Sequence, residues 1–129
     1  MLEGRIEDAA AHAAEAVKRA ENARAPRHVA KGLLLLGLCQ VAGGLAEAAA
    51  TLRRSATFAE SLGVLPLVWP SRALLGALLA EETGEAERTE SMRSLSSARS
   101  AVLAIAGDLP PGVRSEWLNR PDVAALLEG

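Results

Sequence analysis

Gly4, Gly44 and Gly84 stand at one interval of 40 residues, and each is followed three positions later by a glutamate, Glu7, Glu47 and Glu87. A fixed period of about 20 to 50 residues belongs to chains built from stacked supersecondary units, each too small to bury its own apolar face. The period carries apolar residues with it. Leu34, Leu35 and Leu38 lie 10, 9 and 6 residues before Gly44, and Leu74, Leu75 and Leu78 hold the same offsets before Gly84. Two segments therefore share one template, and the fold has to stack them.

The units are helical. Aromatic and β-branched residues are few, while Ala, Leu, Glu and Arg, all strong helix formers, dominate. The pattern predicts an all-α chain of about five long helices, near residues 5–24, 27–42, 45–62, 68–82 and 85–106, followed by two short C-terminal helices. Pro26 disfavours helix at Ala25 and suits the first turn of the helix it opens. Gly43-Gly44 and Thr83-Gly84 offer left-handed helix ends, so tight hairpins of antiparallel helices are expected there. Gly63 with Pro66 and Pro70 separates the third helix from the fourth. The segment 107–112, with Asp108, Pro110 and Pro111, is the strongest breaker. It divides a repeat region, residues 1–107, from a short helical tail, residues 108–129, expected to pack on the repeats.

In the helices after the glycines, small or apolar residues return every three or four positions: Ile6, Ala9, Ala13, Ala16 and Ala20, then Leu45, Ala48, Ala49, Leu52, Ala56 and Ala59. Such a stripe must pack on a neighbour. The helix before each glycine is apolar nearly all round, as 33–38 illustrates, which suits a helix covered on both sides. On the last long helix, Ser91, Ser94, Ser96, Ser97 and Ser100 are expected toward solvent, with Met92, Leu95, Val102, Leu103 and Ile105 buried.

Chemistry is sparse. The 14 basic and 16 acidic side chains nearly balance, and no run of either sign marks a nucleic-acid footprint. The single cysteine, Cys39, allows no intrachain disulfide, and the N-terminal sequence lacks the cationic start and apolar run of a secretory signal. A cytoplasmic setting is expected. The most apolar stretch, 32–50, is interrupted by Gln40, Glu47 and Gly43-Gly44, so no membrane span is expected. His12 and His28 are the only histidines, and no HExxH, CxxC or GxSxG arrangement occurs. No catalytic, metal or cofactor-binding residues are assigned. Glu7, Glu47 and Glu87 are each read as first-turn carboxylates beside exposed N–H groups, a placement that by itself explains their spacing.

The pair Leu36-Gly37, the turn glycine seven residues later and the alanines after it resemble the tetratricopeptide repeat. The period of 40 departs from that family's 34, its large aromatic positions are missing, and Leu75-Gly76 is displaced by one residue relative to its turn glycine. The whole chain, including the ending 113–123 (VRSEWLNRPDV), is similar to the degenerate repeat segment near the C-terminus of large bacterial ATP-binding regulators, including LuxR-type activators and proteins with adenylate-cyclase domains. The resemblance implies an α-solenoid that binds partners without catalysis in bacterial signal transduction or transcriptional regulation. Nucleotide and DNA binding are not carried over, because the chain has neither a GxxxxGK[ST] loop nor a basic recognition helix.

By offset from the turn glycines, the resemblance places Lys31, Leu34, Leu38 and Val41 of one repeat, and Ser71, Leu74, Leu78 and Glu81 of the next, on a concave surface suited to a protein or peptide partner. The alternative for the leucines is plain core. The first helix matches the second half of a repeat, so the expected neighbours are further repeats of a larger array or a second copy of the chain. A small-molecule effector-sensing domain is the alternative functional reading.

Overall fold

A computed structural model describes residues 2–128; Met1 and Gly129, the end residues of the two expected segments, lie outside the described residues. The chain is all-α. Its helices are α1 (Leu2–Asn22), α2 (Pro26–Ala42), α3 (Ala48–Leu62), α4 (Leu65–Leu79), α5 (Glu85–Gly107), α6 (Pro111–Asn119) and α7 (Pro121–Glu128), with no strand among the described residues.

Local chemistry sets most boundaries. Pro26 opens α2 behind an N-cap at Ala25 outside the helical region. Gly63 closes α3 in the left-handed conformation, at φ 69° and ψ 25°. In the preceding turn, between α2 and α3, it is Gly44, at φ 65°, that goes left-handed, while Gly43 stays right-handed. Helix α4 starts at Leu65, ahead of the expected 68, because Pro66 sits where an N–H has no helical partner and Pro70 removes only one bond near the helix start. The pair Thr83-Gly84 does not end α4, which is capped at Ala80; Gly84 is extended and serves as the N-cap of α5.

The glutamate expectation holds only in part. Glu87 lies in the first turn of α5 and Glu47 is the N-cap residue of α3. Glu7 does not lie in a first turn, because α1 already begins at Leu2.

Each long helix packs on its successor, and α2 also touches α4 directly. Position 32 faces Val17 and Gly43 faces Ile6, so α1 and α2 run in opposite directions. Gly37 meets Leu52 and Thr51 of α3, and Gly76 meets Leu95 and Ser91 of α5. A methyl group at Gly37 would sit 2.5 Å from Leu52 Cδ2, and one at Gly76 would sit 2.6 Å from Leu95 Cγ and 3.2 Å from the Ser91 carbonyl oxygen. The glycine of each Leu-Gly pair thus lets two helix axes approach more closely than any side chain would permit.

The same closeness overturns part of the expected polarity of α5: Ser96 and Ser100 are exposed and Val102 is buried as expected, but other positions are exchanged. Ser91 and Ser94 are buried, whereas Met92 is 73% exposed and Leu103 54% exposed. Between axes this close only small side chains fit, and the Ser91 hydroxyl is satisfied by donating to the Gly76 carbonyl at 2.7 Å.

The core is continuous through the α2–α5 stack, with Ala30, Ala59, Val68, Trp69, Ala98, Ala101 and Val102 joined by Val123 and Leu126 of α7. Leu52, Leu75 and Leu79 form a second cluster, and Val17, Ala20, Val29 and Leu33 seal α1 onto α2. The tail is held by specific bonds. Trp117 meets Trp69 edge-on, with ring centroids 5.8 Å apart at 86°, and its Nε1 donates to the Val102 carbonyl at 3.3 Å. Arg99 Nε donates to the Leu126 carbonyl at 2.9 Å.

Candidate functional site: an apolar groove between α1, α2 and α4

Helix α2 is not covered on both sides. Along it, His28, Lys31, Leu35 and Leu38 recur at steps of three and four, forming one stripe, and all four are exposed. Leu35 is 53% exposed and Leu38 42% exposed. Beside this stripe, Ala16, Arg19 and Ala20 of α1, with Ala23 of the turn after it, form one wall and Leu67 of α4 contributes to the other, enclosing an open groove of about 710 Å³ floored by Gly32 and Leu34. The floor is made of alanine, glycine and leucine.

The groove exists because α1 lies close against α2. Val17 and Ala20 bury themselves against Val29 and Leu33, and the small residues Ala16 and Ala23 leave space where longer side chains would fill the wall. Alanine and glycine on facing surfaces are what make a groove here rather than a ridge.

Of the eight residues chosen by offset, Lys31, Leu34 and Leu38 come together in this groove. Val41, Leu74 and Leu78 are half-buried and pack on the Leu52–Leu75–Leu79 cluster. Glu81 is exposed in the turn after α4. Ser71 has no exposed surface: its hydroxyl donates to the Leu67 carbonyl at 2.8 Å and lies 2.8 Å from Ser55 Oγ, so it is a buried contact between α3 and α4 and presents nothing to a partner. Leu35, Arg19, His28 and Leu67 were not among the eight. The 3.6-residue period of α2 relates Leu35 to Lys31 and Leu38, whereas the offset rule selected Leu34.

A second, polar recess of about 400 Å³ lies among α3, α4 and α5, lined by Arg53, Arg72, Arg93, Glu60, Glu90 and Ser94 among others. Arg53 grips Glu90 through both nitrogens, at 2.6 and 2.8 Å, and Arg72 holds Glu60 at 3.2 and 2.5 Å. The hydrogen bonds from Arg53 hold the Glu90 carboxyl below its usual range against a smaller opposing effect of burial, and Arg72 and Arg93 add to the lowering. Ser94 Oγ is buried without a hydrogen-bond partner. On the same side, Arg54 reaches Glu21 of α1 at 3.2 Å, so ion pairs link α1 to α3 and α3 to α5.

No described helix is long and apolar enough to cross a membrane, and among the described residues no three His, Cys, Asp or Glu side chains gather as metal ligands. Comparison with protein-family models, curated proteins and solved structures gives no match to this chain.

Proposed function

We propose that the chain is a tetratricopeptide-like helical repeat module that binds a protein partner by burying an apolar segment of it in the α1–α2–α4 groove. The observation that carries this reading is the groove itself, with Leu35 and Leu38 exposed side by side over a floor of alanine, glycine and leucine. Both are already about half-buried, so covering the rest contributes roughly 1 kcal/mol each. The solenoid reading, with residues 1–107 as hairpin repeats and 108–129 as a helical cap, draws support from helices that each pack on the next and from the contact of α2 with α4 across the intervening α3. Ion pairs span α1, α3 and α5 while apolar residues join α2 to α4, an asymmetry that fits a curved array with its first-of-pair helices on the inner surface. Binding by shape and burial needs neither catalysis nor a cofactor. An arginine- and alanine-rich composition fits a bacterial, cytoplasmic regulator of signalling or transcription.

The alternative, an effector-sensing domain, is favoured by the polar recess and its unpartnered Ser94 hydroxyl. It stands second because both carboxylates of that recess are already held by arginines that tie the helices together.

The test is a displayed library of 15-residue peptides panned against the full chain, with the Leu35→Asp/Leu38→Asp double variant as the counter-target. Both leucines are about half-exposed at the surface, so the variant keeps its helix content and melts within a few degrees of the parent. Binders that the double variant loses by about 100-fold are expected, since two buried leucines are lost to each complex. An absence of binders, or binders indifferent to the double substitution, refutes docking in this groove.

A further inference from the structure

The groove is polar at one end only, and both its charge and its hydrogen-bonding capacity restrict what fits. Val17 faces position 32, so Arg19 of α1 comes to the same end as His28 and Lys31 of α2. Leu35 and Leu38 occupy the other end. Leu38 lies seven positions beyond Lys31 along the helix, about 10 Å or two turns. No aspartate or glutamate lines the groove, in a chain that carries 16 acidic side chains against 14 basic ones. Arg19 has an exposed i,i+4 pair with Glu15 at 3.5 Å, and Lys31 has no ion-pair partner among the described residues. The end is therefore cationic.

The lining also carries no hydroxyl or amide side chain, and its polar side chains, Arg19, His28 and Lys31, all lie at the cationic end. Over the Leu35–Leu38 end, an extended peptide would find no partner in the groove for the N–H and C=O groups it turns inward, at a cost comparable to a lost hydrogen bond for each. A helix brings its backbone already satisfied.

We infer that the occupant is an amphipathic helix with a pair of apolar side chains three or four residues apart and carboxylates about two turns away from them, at one end only. The apolar pair covers Leu35 and Leu38, and the carboxylates face Arg19 and Lys31. This inference rests on the docking reading above and adds the partner's conformation, charge and polarity along the groove.

The test uses helix-locked 15-residue peptides in a displayed library, with leucines fixed at i, i+4 and i+7 and with Glu, Gln or Lys free at both ends. Among binders that Leu35→Asp/Leu38→Asp removes, Glu is expected over Lys at one end of the helix and neither residue is favoured at the other. Resynthesised pairs should differ roughly three- to tenfold in Kd at low salt, with the gap closing as salt rises. The chain carrying Arg19→Glu and Lys31→Glu, both exposed positions, should reverse the preference while keeping its helix content. Equal recovery of Glu, Gln and Lys at both ends overturns the acidic partner and leaves the docking reading standing; recovery of no groove-dependent helix overturns the inferred helix, and the docking reading falls with it only when the unconstrained library also yields no groove-dependent binder. Light scattering of the parent chain closes the remaining route. A dimer that Leu35→Asp/Leu38→Asp separates would make a second copy the occupant and overturn the inference.

Discussion

Replacing Gly76 by alanine sets two effects of known size against each other. In a helix interior alanine is better than glycine by about 1 kcal/mol, so propensity alone predicts a stabilised α4. The structure predicts the reverse. The new methyl group would lie 2.6 Å from Leu95 Cγ, 2.8 Å from Leu95 Cδ2 and 3.2 Å from the Ser91 carbonyl oxygen. Leu95 is only half-buried and its side chain can turn aside, but the carbonyl belongs to the backbone of α5 and moves only with the helix. Moving α5 also stretches the buried hydrogen bond from the Ser91 hydroxyl to the Gly76 carbonyl. Overpacking of this kind costs about 1 to 3 kcal/mol. The expected net result is a loss of about 1 kcal/mol, or roughly 4 °C in Tm for a domain of this size. Gly112→Ala is the control, because nothing lies within 4 Å of that position and α6 should gain a few tenths of a kcal/mol. Thermal and urea unfolding of the two variants beside the parent chain decide the matter. A Gly76→Ala chain as stable as Gly112→Ala would mean that the approach of α4 to α5 is not what requires glycine.

Three further substitutions probe buried and exposed polarity. The Ser71 hydroxyl gives its one hydrogen to the Leu67 carbonyl, so in the Ser55–Ser71 contact Ser55 is the donor. Ser71→Ala then strands a buried donor and should cost about 1 to 3 kcal/mol, while Ser55→Ala, which leaves Ser71 donating, should cost less. A double-mutant cycle in urea checks the order, and the reverse order refutes the assigned direction. Glu90 titrates lower in the folded chain than in the unfolded one, chiefly because Arg53 donates to it. Its contribution is therefore fully present above about pH 4.3 and is lost as pH falls through the lower folded value. The pair is partly exposed, so the contribution is at most about 1 kcal/mol. The Tm gap between the parent and Glu90→Gln should narrow below pH 4 and stay constant between pH 6 and 8.

The all-α class was legible in the sequence because turn chemistry acts locally: Pro26 and Gly63 break helices wherever the rest of the chain lies. The inward face of α5 was not legible. Hydropathy assigns Met92 to the core and Ser91 and Ser94 to solvent, yet which face turns inward depends on how far α4 stands away, a distance set by a glycine 15 residues earlier in the chain. Periodicity reports that a helix has two faces. Where axes nearly touch, side-chain volume decides which face is inside, and a serine that can donate to a neighbouring carbonyl displaces a methionine that cannot fit.

The same argument explains why the offset rule does not bring its residues together in one groove. Offsets from Gly44 and Gly84 treat the two repeats as equivalent, and on that footing Leu38 and Leu78 should share an environment. They do not. Leu78 packs on the cluster centred on Leu52, Leu75 and Leu79, while Leu38 is largely exposed beside α1, whose small side chains leave open space. A repeat template carries the helix and its turn from one unit to the next, but not the volume of the neighbour, and it is the neighbour's alanines that leave a groove over one copy of the template while the other is packed into the core. The signal available in the sequence was therefore not in α2 at all. It lay in Ala16 and Ala20 of the adjoining helix and Ala23 just past its end, spaced at three and four, where an apolar stripe with nothing large in it can close against a neighbour without filling the space beside it.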